Sequence, residues 1–208
     1  MANFDEAYLI TMNIEGGWDN DSADKGKETY KGISRKFHPS WSGWSIIDNL
    51  KLKPGFPNTA YSNDNLNSKV KEFYKITFWD INSLSEIQSQ VVANELFDIG
   101  VNMGTPKAAK FLQTSLNVLN KNGATYPNVA EDGKMGAGTL KAFKICINSV
   151  GEDVIYKILN ILQGQFYIDI MLHDPSQEKF ALGWLKRVNF LKIIHQLWPY
   201  LFWEALDK

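Results

Sequence analysis

Glu15-Gly16-Gly17-Trp18, followed by Asp24, Thr29 and Gly32-Ile33-Ser34, is the stretch that decides how this chain is read. Just upstream, Asn3 to Ile14 carries apolar residues at Phe4, Ala7, Tyr8, Ile10 and Ile14, a spacing that predicts an amphipathic helix. Two glycines past that pattern are a helix stop, so Glu15 is expected in the last helical turn. A carboxylate there meets the negative end of the helix dipole, and the dipole and any burial both disfavour its ionisation. A raised pKa is what a carboxylic acid needs to donate a proton near neutral pH. A solvated glutamate ahead of a C-cap would look the same in isolation, so the rest of the chain has to decide.

Downstream, residues 16–61 are rich in Gly, Ser, Asn, Asp, Pro and Trp and show little helical period. They predict an irregular region with a short hairpin around Asp24-Lys25-Gly26-Lys27. From Ser62 the pattern turns helical. Ser62 or Asp64 is placed to cap a helix carrying Leu66, Val70, Phe73 and Tyr74. Further helices are expected over 85–101, from Thr105-Pro106 onward, over 139–149 and 151–173, and over 176–197, with a break at 120–138. The fold class is therefore mainly α, with a small irregular β-hairpin region beside the first helix. No linker interrupts the chain, so residues 1–85, the region of the Glu15 helix and hairpin, and the helical lobe 86–208 are expected to pack as one compact unit.

Composition narrows the function. The 208 residues are 44% hydrophobic and 22% charged, which suits a globular domain and not a disordered one. With a formal net charge of −1 and no basic stripe, nucleic acid is not an expected partner. The lone Cys146 lies in an apolar helical pattern and reads as a small buried hydrophobe; with one cysteine no disulfide framework can form. His38, His173 and His195 are scattered, which argues against a zinc site. Asp19, Asp21 and Asp24 suggest a calcium loop at a glance, but Ala23 and Tyr30 stand where an EF-hand needs ligands. No metal or cofactor is expected. The first twenty residues, with Asp5, Glu6 and Glu15, contain no signal peptide core, and the tail 190–206 is too interrupted to span a membrane.

A carboxylic acid at a helix end and a second carboxylate on a following hairpin are the minimal equipment for glycoside hydrolysis. Asp24, between polar neighbours and beside Lys25 and Lys27, is expected to stay ionised while Glu15 holds its proton. Two carboxyl groups pushed apart in this way divide the acid and base roles. Thr29 can contribute a hydroxyl that orients water or sugar.

The sequence at this point resembles the lysozymes of glycoside hydrolase family 108, N-acetylmuramidases of bacteria and their phages. Four later stretches keep the resemblance in register: Tyr74 to Asp80, Phe97 to Gly104 with Ala108 to Gln113, Asp132 to Gly136 with Thr139-Leu140, and Gly183-Trp184 to Arg187. About residues 4–190 are covered. The resemblance implies an α+β lysozyme-like fold, Glu15 as catalytic acid, and Asp24 as the base or water-positioning group, with Thr29 beside it. It also implies peptidoglycan glycan strands as substrate and a predicted peptidoglycan-binding segment near 105–140, which could equally be the helical lobe that completes the fold. Two departures stand out: Lys27 replaces a usual glycine, and Tyr30-Lys31 reverses the usual polar-then-aromatic order before Gly-Ile.

Asp98 and Asn102, with Glu95, share one face of the helix over 85–101 and are candidates for a cleft wall binding acetamido sugars. Tyr30 and Trp44 are candidates for sugar stacking, although tryptophans under long loops also serve as packing residues. Trp79 and Trp184 sit in helical patterns and are expected in the core. Three functional readings follow: a muramidase, a lytic transglycosylase that needs only Glu15, and a silent peptidoglycan-binding or secretion-associated protein. Without an export signal, such a protein is made in the bacterial cytoplasm and reaches the wall through a holin or a dedicated secretion system.

Overall fold

The computed structural model describes residues 1–12, 17–19 and 28–189. Glu15, Asp24, the expected turn at Asp24–Lys27 and the tail from 190 lie outside the described residues. Helix α1 (Phe4–Met12) buries Phe4, Ala7 and Thr11, one stripe at helical spacing. Ile10, expected on that stripe, is exposed instead. Thr11 takes the inward position because it falls one turn beyond Ala7, whereas Ile10 has rotated off the stripe.

Three two-residue strands follow: β1 (Trp18–Asp19), β2 (Thr29–Tyr30) and β3 (Ile33–Ser34), antiparallel in the order β1-β2-β3. Asp19 lies opposite Thr29, and Thr29 opposite Ser34. The β2–β3 turn is Lys31-Gly32, with φ of 43° and 77°. Positive φ at both central residues is the type I′ requirement, whose twist matches that of the flanking strands. The segment 16–61, expected to be irregular, contains two further helices, α2 (Gly43–Lys51) and α3 (Asn58–Tyr61). Elements this short are marginal alone. They form because Trp44, Ile47 and Ala60 dock into the core, a cause that a scan for long periodicity does not see.

Helix α4 (Asp64–Tyr74) is capped by Asn63, whose side chain accepts from the Leu66 N–H at 2.9 Å, in place of Ser62 or Asp64. A π-turn and two 3-10 turns carry the chain through the buried Trp79 to α5 (Gln90–Met103). This helix begins five residues later than expected, because Ser89 provides the cap by accepting from the Val92 N–H. Beyond it run α6 (Thr105–Leu119), α7 (Ala137–Val150) and α8 (Glu152–His173). The helix expected over 176–197 opens as a 3-10 segment, Pro175–Phe180, then a short α9 (Ala181–Leu185) in which Gly183 weakens helix formation. One hydrophobic cluster runs from Phe4 through the sheet, α4 and α5 to Leu159 on α8, and it includes Cys146 and Trp79. Trp184 is half-buried and stacks on Tyr167 at 5.1 Å. Among the described residues, no helix is long and apolar enough to cross a membrane.

Two buried charge clusters tie these elements together. The Glu28 carboxylate, 8% exposed, meets Arg35 at 2.7 Å and Lys51 and accepts from the Trp18 indole N–H at 3.0 Å. It thereby links β1, the entry to β2 and α2. Burial alone would raise its pKa, but hydrogen bonds from Lys51 and Trp18 and the charges of Lys51 and Arg35 outweigh that and hold it below its ordinary value. The second cluster joins α5 to the chain's far end: Asp98 accepts from Arg187 at 2.7 Å and from the Gln163 amide at 3.1 Å.

A carboxylate with a depressed folded-state pKa contributes stability above its unfolded value, near 4.5, and loses it as pH falls through the folded one. Glu28→Gln is therefore expected to lower stability at pH 7 by about 2 kcal/mol and to flatten the acid limb of the stability profile, measured by urea unfolding from pH 7 to 3. Arg187→Met leaves the Asp98 carboxylate without its cationic partner, and urea unfolding at pH 7 is expected to show a loss of about 3 kcal/mol.

Candidate active site

The opening motif is built around Gly17. Its carbonyl accepts from the Lys31 N–H at 2.9 Å, which fastens the start of β1 to the I′ turn. A Cβ at Gly17 would lie 2.5 Å from the Tyr61 hydroxyl oxygen, so any larger residue there has to push the Tyr61 side chain aside. That same oxygen accepts from the Trp18 N–H at 3.0 Å. Tyr61 thus sits against the backbone two residues past Glu15. Its ring, 37% exposed, lies parallel to Tyr30 with centroids 6.2 Å apart. No spacing rule links positions 17 and 61, and only docking of α3 on the sheet brings them together.

Thr29 occupies the central strand, half-buried, opposite both Asp19 and Ser34. Because Asp19 and Thr29 are partners, the connection that carries Asp24 leaves and re-enters the sheet at one place. The Glu28 cluster holds both of its ends, through Trp18 on one side and Glu28 itself on the other.

Two expected sugar-stacking residues turn out to be structural. Tyr30 is fully buried, and its hydroxyl donates to the Ala60 carbonyl at 3.0 Å. Burial, with the neighbouring Tyr61 and Tyr8, pushes its pKa up to about 12. The strand alternation that turns Tyr30 inward puts Lys31 in the turn, where its ammonium reaches Asn67 at 2.8 Å and burial lowers its pKa. Trp44 is 3% exposed, donates its indole N–H to the His38 carbonyl at 2.8 Å, and has the Arg35 guanidinium 4.8 Å above its ring. Neither offers a face to a sugar, because each fills the space under a polar loop. Among the described residues at this motif, Tyr61 keeps an exposed aromatic side chain.

On α5, Asp98 and Asn102 are adjacent as expected. The Asn102 side chain is exposed and its amide donates to the Asp98 backbone carbonyl at 2.8 Å. The Asp98 carboxylate is turned to Arg187 and Gln163. With Glu95, Arg187 and Ile10 of α1 it borders a small cavity of about 60 Å³. Burial, and after it the Glu95 and Asp98 charges, raises the nearby Tyr156 to about 12. Asp98 and Arg187 thus form a largely buried ion pair between α5 and the segment after α9, with Glu95 at the same small cavity, while the Asn102 side chain is open to solvent.

Comparisons with known proteins agree with this architecture. Residues 8–104 match the family described as Glycosyl hydrolase 108, and residues 107–189 match the one described as Predicted Peptidoglycan domain. The seam between them is the junction of α5 and α6. No curated protein matches the sequence. The solved structure of SagA from Brucella abortus is similar with a TM-score of 0.59, over 89% of this chain and 88% of that one, at 20% identity. That likeness bears on the fold, which is mainly α and lysozyme-like with one small sheet. The chain thus carries a region that matches the glycosyl hydrolase 108 family, followed by one that matches a predicted peptidoglycan domain.

Proposed function

We propose that this glycoside hydrolase is a muramidase that cleaves the β-1,4 bond between N-acetylmuramic acid and N-acetylglucosamine. Glu15 donates its proton to the glycosidic oxygen as the C–O bond breaks. Water adds to the sugar carbon, and Asp24 takes the water's proton or orients the water for attack. Thr29 supplies a hydroxyl beside them. Asn102, with its open side chain, contacts an acetamido group, and Asp98 supports that wall through Arg187. Tyr30 and Trp44 serve as the packed floor of the region.

The observation that carries the reading is the register of the sheet. Gly17 is bonded to the Lys31 N–H, and Asp19 pairs with Thr29. Gly17, two residues after Glu15, is thereby tied to the turn of the sheet whose central strand carries Thr29, and this supports a paired-carboxyl reading of the motif. Action on the wall follows release through a holin or a dedicated secretion route.

Glu15→Gln keeps the size of the side chain and removes the acid, so clearing of a cell-wall suspension is expected to slow about a thousandfold with folding unchanged. Clearing at the wild-type rate would remove Glu15 from the mechanism. Asp24→Asn is expected to slow clearing by a smaller factor. In mass spectra of the digest, reducing muramyl ends are expected, whereas anhydro-muramyl ends would make the chain a transglycosylase. Binding to walls with no fragments released by wild type would leave only the non-catalytic reading.

A further inference from the structure

A second concave site lies far along the chain from the opening motif, between the 126–136 loop and α7. It is a cavity of about 540 Å³, within the size range of small-ligand sites. Its walls are small and apolar at Pro127, Val129, Ala130, Ala142 and Ile145. Exposed Lys134 and Lys141 add two positive charges, and Asp132 adds one negative charge. The base is rigid. Gln113, 1% exposed, donates to Asp132, to the Lys134 carbonyl and to Thr139, and accepts from the Gly133 N–H. Those bonds from Gln113 and from the Lys134 N–H hold the Asp132 carboxyl below its usual range, so it is ionised at neutral pH.

This chemistry suits a peptide better than a sugar strand. Sugar sites present flat aromatic faces to C–H groups. Here the one aromatic residue of the lining, Tyr126, is buried with its hydroxyl donating to the Leu116 carbonyl at 2.8 Å. A peptidoglycan stem peptide instead carries alanine methyls, free carboxylates and the amine of a diamino acid. The methyls match the apolar wall, the carboxylates match Lys134 and Lys141, and the amine matches Asp132. The opening turn of α7 reaches the cavity at Gly136 and Gly138, and its capping residue Gly136 gives no side-chain cap, which adds to the preference for an anion.

We propose that the cavity between the 126–136 loop and α7 binds the carboxylate-bearing stem peptide of peptidoglycan. This deepens the reading that the chain acts on peptidoglycan, and rests on it for the identity of the ligand. Peptide binding here anchors the chain to the wall by a part of the polymer that the hydrolysis leaves intact.

Gly138 provides a clean test. A Cβ there meets nothing within 4 Å, so Gly138→Leu projects into open space and also favours the helix. The full-length chain is titrated calorimetrically with acetyl-L-Ala-γ-D-Glu-L-Lys-D-Ala-D-Ala and, separately, with a tetramer of N-acetylglucosamine. Wild type is expected to bind the peptide, with Gly138→Leu weakening it more than about tenfold and Lys141→Glu about tenfold. If Gly138→Leu does not fold, by far-UV dichroism, Lys141→Glu carries the test. Absence of peptide binding, or equal binding by both variants, overturns the proposal. So does loss of tetramer binding in Gly138→Leu with the peptide unaffected, which would make this a sugar site. Because the peptide contains no glycosidic bond, binding is independent of Glu15. Wall clearing without peptide binding sinks the cavity alone, and peptide binding without clearing sinks the hydrolase alone.

Discussion

The burial of α5 is the constraint from which the rest of the structure follows. This helix removes Val92, Ala93, Leu96, Phe97, Ile99 and Gly100 from water over a broad face, so it must be covered by α1, α6 and α8 together. Phe97 meets Phe4 of α1 edge-on at 5.7 Å and Trp79 at 5.8 Å, which seats the first helix. Two acidic residues share this buried helix, and a buried carboxylate is tolerated only with partners. Asp98 finds its partners on α8 and beyond α9. The chain's far end is thereby drawn back onto the helix that seats its beginning, and the hydrolase and peptidoglycan regions share one core.

The Glu28 cluster plays the matching part in the small sheet. Strands of two residues cannot hold their register by ladder bonds alone. One buried carboxylate bonded to β1 and α2 fixes both ends of the connection between β1 and β2, and the Gly17 carbonyl on Lys31 closes the ring. The register of the three strands is thus set by buried side chains rather than by the ladder alone. Tyr61, pressed against Gly17, keeps an exposed aromatic side chain there.

Much was legible from local rules. Phe4 and Ala7 declared α1, the run through Val92, Leu96 and Ile99 declared α5, and Thr105-Pro106 placed the start of α6 where it is found. Cys146 and Trp79 sit in the core as their helical neighbours implied. The short α2 and α3 escaped because nine and four residues carry too little period to stand out from a polar background, and they form only on docking. Tyr30 and Trp44 looked like sugar platforms because loop aromatics often are. Which way a strand residue faces depends on the pairing, and the I′ turn at Lys31-Gly32 sends Tyr30 inward. Glu28 and Tyr61 carried no signal at all, since their partners lie 7 to 43 residues away.

By itself the sequence determined the helical class, the family motif from Glu15 to Ser34, and the residue types from which a glycosidase can be made. These are local matters of periodicity, capping and spacing, which neighbouring residues settle among themselves. Only the tertiary structure decided which aromatic is buried and which is open, which carboxylates are clamped, and that a cavity opens beside α7. Those outcomes depend on what each side chain meets across the fold, and burial and pairing are properties of the packed whole.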